Sequence, residues 1–136
     1  MMKNIYIFFI IQMKITKIED LNNIPEGITE LDISRLGLTT LPSLPQSLTR
    51  LNCSNNELTS LDNLPQSLIK LVCYDNKLTS LDIANCNELE YLSCKDNNFP
   101  KEMETILDDK DLTIQEKIDK LIEGCLIPYD NSFVLK

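Results

Sequence analysis

Residues 41–60 read LPSLPQSLTRLNCSNNELTS, and residues 61–80 read LDNLPQSLIKLVCYDNKLTS. Laid over each other, their apolar positions coincide: Leu44 with Leu64, Leu48 with Leu68, Leu51 with Leu71, Cys53 with Cys73 and Leu58 with Leu78. Asn56 falls on Asn76. Such self-similarity at a fixed period marks a stacked-repeat architecture, in which a unit too small to bury its own apolar face buries it against its neighbours.

Working outward, the block from Leu21 places Ile24, Ile28, Leu31, Ile33 and Leu38 on the same template, with Leu36 where the asparagine should stand. The block from Leu81 carries one extra residue and gives Leu89, Leu92, Cys94, Asn97 and Phe99. Counting back by the same period yields Phe8, Ile11, Met13, Thr16 and Ile18, so residues 1–20 read as a degenerate first coil. The apolar run Ile5–Ile11 behind Lys3 also admits an unprocessed leader with its true start at Met13. The run is too short for a membrane span, and no small-residue cleavage site follows it.

Within each block the alternation Leu51-x-Cys53 has the period of a short strand. Parallel strands are therefore expected near residues 30–34, 50–54, 70–74 and 91–95, with no helix between them. The asparagine suits the corner after each strand, because its amide can pair with backbone groups that the bend leaves open. Pro45 and Pro65 fit an extended or polyproline return path.

After residue 99 the period changes. Pro100 is expected to open a helix reaching about Asp109, with Asn98 as its cap. A second helix should begin at Thr113, which forms a capping-box pattern with Glu116. It would place Ile114, Ile118, Leu121, Ile122 and Cys125 on one face and end at Gly124. The expected organisation is thus an array over 1–99 and a helical cap and tail over 100–136. The fold class is an α/β solenoid with a parallel sheet on its concave face.

These phrases resemble the leucine-rich-repeat superfamily. The length and the LPxLP–xxLxxL wording of Leu41–Leu51 are most similar to the short bacterial-effector subclass of invasion plasmid antigen H and Yersinia outer protein M. Cysteine at 53, 73 and 94 departs from the valine usual there, and LDIANCNELEYLSC departs towards internalin-like or viral and protist arrays. The resemblance implies a protein-binding module. Its other implication is a substrate-receptor fragment of an effector-type ubiquitin ligase, although the ligase domain has no counterpart in these residues. A structural or vestigial repeat fragment is the third reading.

Composition narrows the function classes. The net charge of −8 disfavours nucleic acid and anionic membrane as partners. With no histidine in the chain, the usual general base and metal-binding imidazole are missing. No cofactor, metal, small-molecule substrate or enzymatic activity is expected. Five cysteines, an odd number, fit a reducing and hence cytoplasmic setting, in the cell of origin or in a host. The column Cys53, Cys73, Cys94 shares parity with Leu51, Leu71 and Leu92 and should point into the core. Cys86 marks the extra residue of the fourth block, where it can fill a widened corner.

The candidate site is the set of strand residues that alternate with the core pair. One row is Glu30, Arg50, Lys70 and Tyr91, and a second is Asp32, Asn52, Val72 and Ser93. A third is Ser34, Ser54, Tyr74 and Lys95, with Arg35, Asn55, Asp75 and Asp96 at the strand ends. The expected partner-binding residues are the first two rows with Tyr74 and Lys95. Tyr74 and Tyr91 would anchor, while Arg50 and Lys70 pair with acidic groups of the partner.

Overall fold

A computed structural model describes residues 12–127. Five parallel strands form one sheet in chain order: β1 (Gln12–Lys14), β2 (Glu30–Asp32), β3 (Arg50–Asn52), β4 (Lys70–Val72) and β5 (Tyr91–Ser93). Each strand is one layer of a solenoid of about four turns. β2 through β5 start at the expected positions but run for three residues each, because the chain bends at once after them. Arg35, Asn55, Asp75 and Asp96 each take a left-handed backbone there, with φ of 55–60°. No helix lies between β2 and β5.

The register is uninterrupted. Leu31, Leu51, Leu71 and Leu92 pair strand to strand, and each aims its side chain inward. Ile33, Cys53 and Cys73 continue beneath them, all fully buried. Leu48, Leu58, Leu68 and Leu78 close the core from the return side. Burying one such leucine contributes about 1.5–3 kcal/mol.

The asparagines stitch successive coils. The side-chain Nδ2 of Asn76 donates to the carbonyls of Cys53, Cys73 and Tyr74, and its Oδ1 accepts from Leu58 N at 3.0 Å. Asn56 and Asn97 repeat the pattern one coil earlier and one coil later. The ladder thus runs from amide to backbone, not from amide to amide. A second ladder was not read from the sequence. Ser47 Oγ donates to Ile28 O, and Ser67 Oγ to Leu48 O, both at 2.6 Å. These two serines belong to the repeated LPQSL phrase.

β1 corrects the expected register of the first coil. Met13 pairs with Leu31, not with the position of Ile33, so this coil is two residues shorter than the next. Ile15 takes the buried column position, and Ile18, expected in the core, is 57% exposed. Thr16 consequently does not occupy the corner position. Ile11, Met13 and Ile15 alternate without interruption, so a slip of two preserves every facing, and spacing alone does not separate the two registers. Residues Ile18–Asn23 form a 3₁₀ helix on the shortened return path. Phe8 and Ile11 lie outside the described residues, as does the run Ile5–Ile11.

At the other end, α1 (Lys101–Leu107) and α2 (Ile114–Glu123) follow the sheet. Pro100 is the N-cap of α1 instead of its first helical residue, and no side chain caps it, so Asn98 does not play that part. The capping box of α2 is present: Thr113 Oγ1 accepts from Glu116 N at 3.1 Å, and Glu116 Oε2 accepts from Thr113 N at 2.8 Å. Ile118 and Leu121 bury into the core cluster. Gln115 Nε2 donates to Leu89 O at 3.1 Å. Leu89 is the register counterpart of Leu48, so the helix supplies the donor that another coil's serine would have given.

Helix α2 ends in a Schellman arrangement. Cys125 N donates to Ile122 O and Leu126 N to Leu121 O. The left-handed residue is Cys125, with φ of 55°, while Gly124 keeps a negative φ. Cys125 is exposed and does not join the apolar face expected of it. Among the described residues, no helix is long and apolar enough to cross a membrane.

Candidate concave-face site

Parity places the site. Leucine occupies the middle position of β2 through β5 and points inward, so the residues before and after it stand on the opposite, concave face. The register carries Glu30, Arg50, Lys70 and Tyr91 across the sheet as one row, and Asp32, Asn52, Val72 and Ser93 as the other. β1 extends them by Gln12 and Lys14, which the sequence reading missed through the register slip.

A groove of about 520 Å³ lies over β1–β4. It brings together Glu30, Asp32, Arg50, Asn52, Lys70 and Val72 and adds Gln12 and Lys14 to them. Tyr91 and Ser93 continue the rows on β5 beyond the groove. Lys70 bridges the two zones, its ammonium 4.9 Å from the centre of the Tyr91 ring. Tyr91 is 52% exposed. Tyr74 and Lys95 stand past the strand ends and do not line the groove. Tyr74 is half-buried, and its carbonyl accepts from Asn55 N at 3.0 Å. The third row is not a uniform surface, since Ser54 is buried where Lys95 is exposed.

The charges interleave. Arg50 Nη1 lies 3.7 Å from Glu30 Oε1, and Lys14 Nζ lies 3.9 Å from Asp32 Oδ2. Gln12 Nε2 also donates to Glu30. Exposed pairs of this kind contribute about 0–1 kcal/mol, so an incoming group can exchange with them at small cost. Asp32 Oδ1 accepts from Ser34 N and Ser34 Oγ, and Asn52 Oδ1 accepts from Ser54 N and Ser54 Oγ in the same way. These short turns hold both side chains in place before any partner arrives.

The thiols lie apart from this surface. Burial pushes Cys53 up to about 12, and burial, with the neighbouring Cys53 and Cys94, pushes Cys73 up as well. Burial and then Asp82 raise Cys86 to about 11. Cys94 reaches about 11 through burial and Asp108, against a smaller opposing effect of Lys117. Buried protonated thiols are poor nucleophiles and poor metal ligands. Cys86 fills the widened corner, its Sγ 3.9 Å from Pro65 O. No family model matches the chain, and no curated protein matches it either.

Proposed function

We propose that the chain is a leucine-rich-repeat protein of the short, effector-like kind, and that it binds a partner protein across its concave sheet in a reducing compartment such as the cytoplasm. The observation that carries this reading is the pair of concave rows held in strict register, half-buried to exposed, with Arg50 and Tyr91 the most open. Rigid strands that fix side chains before contact lower the ordering cost of association. Tyr91 offers an exposed aromatic anchor beside the charged groove, and Tyr74 contributes from the turn that follows β4. The family assignment draws its support from the asparagine-stitched coils and their leucine columns. Five unpaired cysteines, three of them buried, suit a reducing setting.

A photoreactive amino acid placed at Asn52 on the concave face, or at Asp62 on the return path, tests the reading in cell extract. Cross-linking to a discrete partner from position 52 and not from 62 is the expected result. The Tyr91→Ala and Tyr74→Ala double variant should abolish that product, whereas Cys53→Val should leave it intact. Equal labelling from both positions, or loss of the product only in the cysteine variant, overturns the reading.

A further inference from the structure

We propose that Arg50, Asn52 and Lys70 form a seat for one carboxylate, so that the partner presents an extended segment with an acidic residue next to an apolar one. The proposal rests on the concave-face reading and names the chemistry that the face selects.

Donor supply is the first argument. The Oδ1 of Asn52 is used by Ser54 N at 3.0 Å and Ser54 Oγ at 2.7 Å. That fixes the amide plane and leaves Nδ2 as the group offered to the groove, with no acceptor among the described residues. Arg50 has five N–H donors and spends one nitrogen on Glu30 at 3.7 Å, with its side chain 59% exposed. Lys70 rests on the Tyr91 ring and has no ion pair among the described residues. Arg50 and Asn52 share β3 and Lys70 is on β4, about 4.8 Å away by the spacing of adjacent strands. In the free protein Arg50 leans towards Glu30 on β2 and Lys70 towards Tyr91 on β5, so the three donors meet on one carboxylate when these two long side chains swing inward over Asn52.

The neighbouring coil shows the opposite polarity. Asp32 makes the same turn with Ser34 as Asn52 makes with Ser54, but its free oxygen is an acceptor that already has Lys14. Acceptors on β2 are thus occupied, while Asn52 Nδ2, the remaining Arg50 nitrogens and the Lys70 ammonium still have N–H groups to give.

Charge decides between anions. Three cations and two carboxylates line the groove, a surplus of one positive charge on a chain whose net charge is −8. One carboxylate matches that surplus. A phosphate dianion would exceed it, beside Glu30 and Asp32. Val72 pairs with Asn52 in the register and offers an apolar seat for the adjacent side chain.

Nuclear magnetic resonance on the ¹⁵N-labelled full chain tests this with blocked five-residue peptides of alanine and valine bearing a central glutamate, glutamine or lysine. The glutamate peptide should shift the Asn52 side-chain amide and the β3–β4 backbone amides saturably. The glutamine peptide should bind at least tenfold more weakly, and the lysine peptide should leave these signals in place. Arg50→Gln combined with Lys70→Gln should weaken the glutamate peptide at least tenfold with the melting temperature unchanged. Equal binding of glutamate and glutamine peptides overturns the carboxylate seat, as does tighter binding of inorganic phosphate at the same residues. Shifts from the lysine peptide alone would sink the seat while leaving the concave face as a binding surface. No shift from any peptide would count against both.

Discussion

The β3–β4 pair and the β1–β2 pair share one sheet and one parallel pattern, yet different forces back them. Between the coils of β3 and β4, Asn76 places a buried amide across the corner, and Ser67 adds a hydroxyl shared between the carbonyls of Leu48 and Gln46 on the return side. Between the coils of β1 and β2 the corner residue is Leu36, and the side-chain links are an amide and an ion pair on the open face. A buried polar group bonded on all sides is costly to disrupt, whereas an exposed pair is worth little and weakens with salt. The core columns differ too: Ile15 and Ile33 occupy in the first coils what Cys53 and Cys73 occupy in the middle. Identical strand pairing therefore says little about local stability. What crosses the corner decides it, and the array should open from β1.

The strongest way to break that contrast is to place the same charge in the same column at two depths. Leu71→Asp puts a carboxylate where no water reaches, and Met13→Asp does so at a half-buried position. We expect Leu71→Asp to unfold the array, a loss above about 4 kcal/mol. Met13→Asp should cost less than half as much and only fray β1. Thermal unfolding with hydrogen exchange reads both, and equal losses would mean that β1 is held as firmly as β4. Lys70→Ala, on the opposite face of β4, should stay within about 0.5 kcal/mol.

Next in size is the corner itself. Asn76→Ala removes one acceptor and a donor shared among three carbonyls. Buried groups left unpaired should cost about 3 kcal/mol in total. Lys14→Ala, which removes only the exposed pair with Asp32, should cost at most about 0.5 kcal/mol and nothing in high salt. A loss for Lys14→Ala comparable to that for Asn76→Ala would show that the open-face links hold β1 as firmly as the amide holds β4.

Much of this was legible because repetition amplifies weak local cues. Three copies of Leu-x-Cys, at 51–53, 71–73 and 92–94, settled strand position and facing, and Asn56, Asn76 and Asn97 announced the corner. The concave rows follow from parity alone. The β1 register was not legible, since Ile11, Met13 and Ile15 alternate and a slip of two residues changes no facing. Nor was the groove, because its walls include Gln12 and Lys14, whose place depends on that register. Serines 47 and 67 repeat as plainly as the asparagines, but a hydroxyl on a return path has many possible acceptors, and only the stacked coils show which carbonyl lies beside it. Helix α2 does end at Gly124, but the left-handed residue is Cys125, because the hydrogen bonds that close the helix fall one residue beyond the glycine.

The thiol column gives a pH form of the contrast. Cys53 is raised from 9.0 to about 12 in the folded chain. The unfolded chain therefore releases that proton first, so the contribution is fully present below pH 9 and is lost as pH rises towards 12. At about pH 10.5 the loss from this one thiol is about 2 kcal/mol. Cys53→Val should remove it, leaving a shallower decline in melting temperature between pH 9 and 11 than the parent shows. Ile33→Val, in the same column one coil earlier, should leave the pH slope unchanged. Parallel alkaline curves for the parent and Cys53→Val would show that the thiol ionises freely in the fold.

The smallest effect concerns the strand-end corner, where the β2 coil departs from those of β3 to β5. Arg35, Asn55, Asp75 and Asp96 occupy equivalent left-handed positions, with φ of 60°, 55°, 57° and 57°. Asparagine and aspartate tolerate that region because their short polar side chains can bond to the local backbone, whereas an ordinary side chain there is strained by about 1–2 kcal/mol. The local bond Asn55 makes is to a neighbouring side chain, its Nδ2 donating to Ser54 Oγ at 3.4 Å. The Arg35 backbone N–H meets Ser54 O at 3.2 Å, so a substitution that keeps the backbone keeps this bond. Arg35→Asn should therefore stabilise the protein by about 0.5–1 kcal/mol, and the reverse change, Asn55→Arg, should destabilise it by a similar amount. Arg35→Gly relieves the same strain but frees the unfolded chain, so its gain should be smaller. Removing Arg35 also makes an acidic chain more acidic, and denaturant titrations in high salt separate that repulsion from the backbone effect. A loss of stability for Arg35→Asn under those conditions would mean that the arginine side chain supports the first corner, and that this coil is held there by more than its open-face pairs.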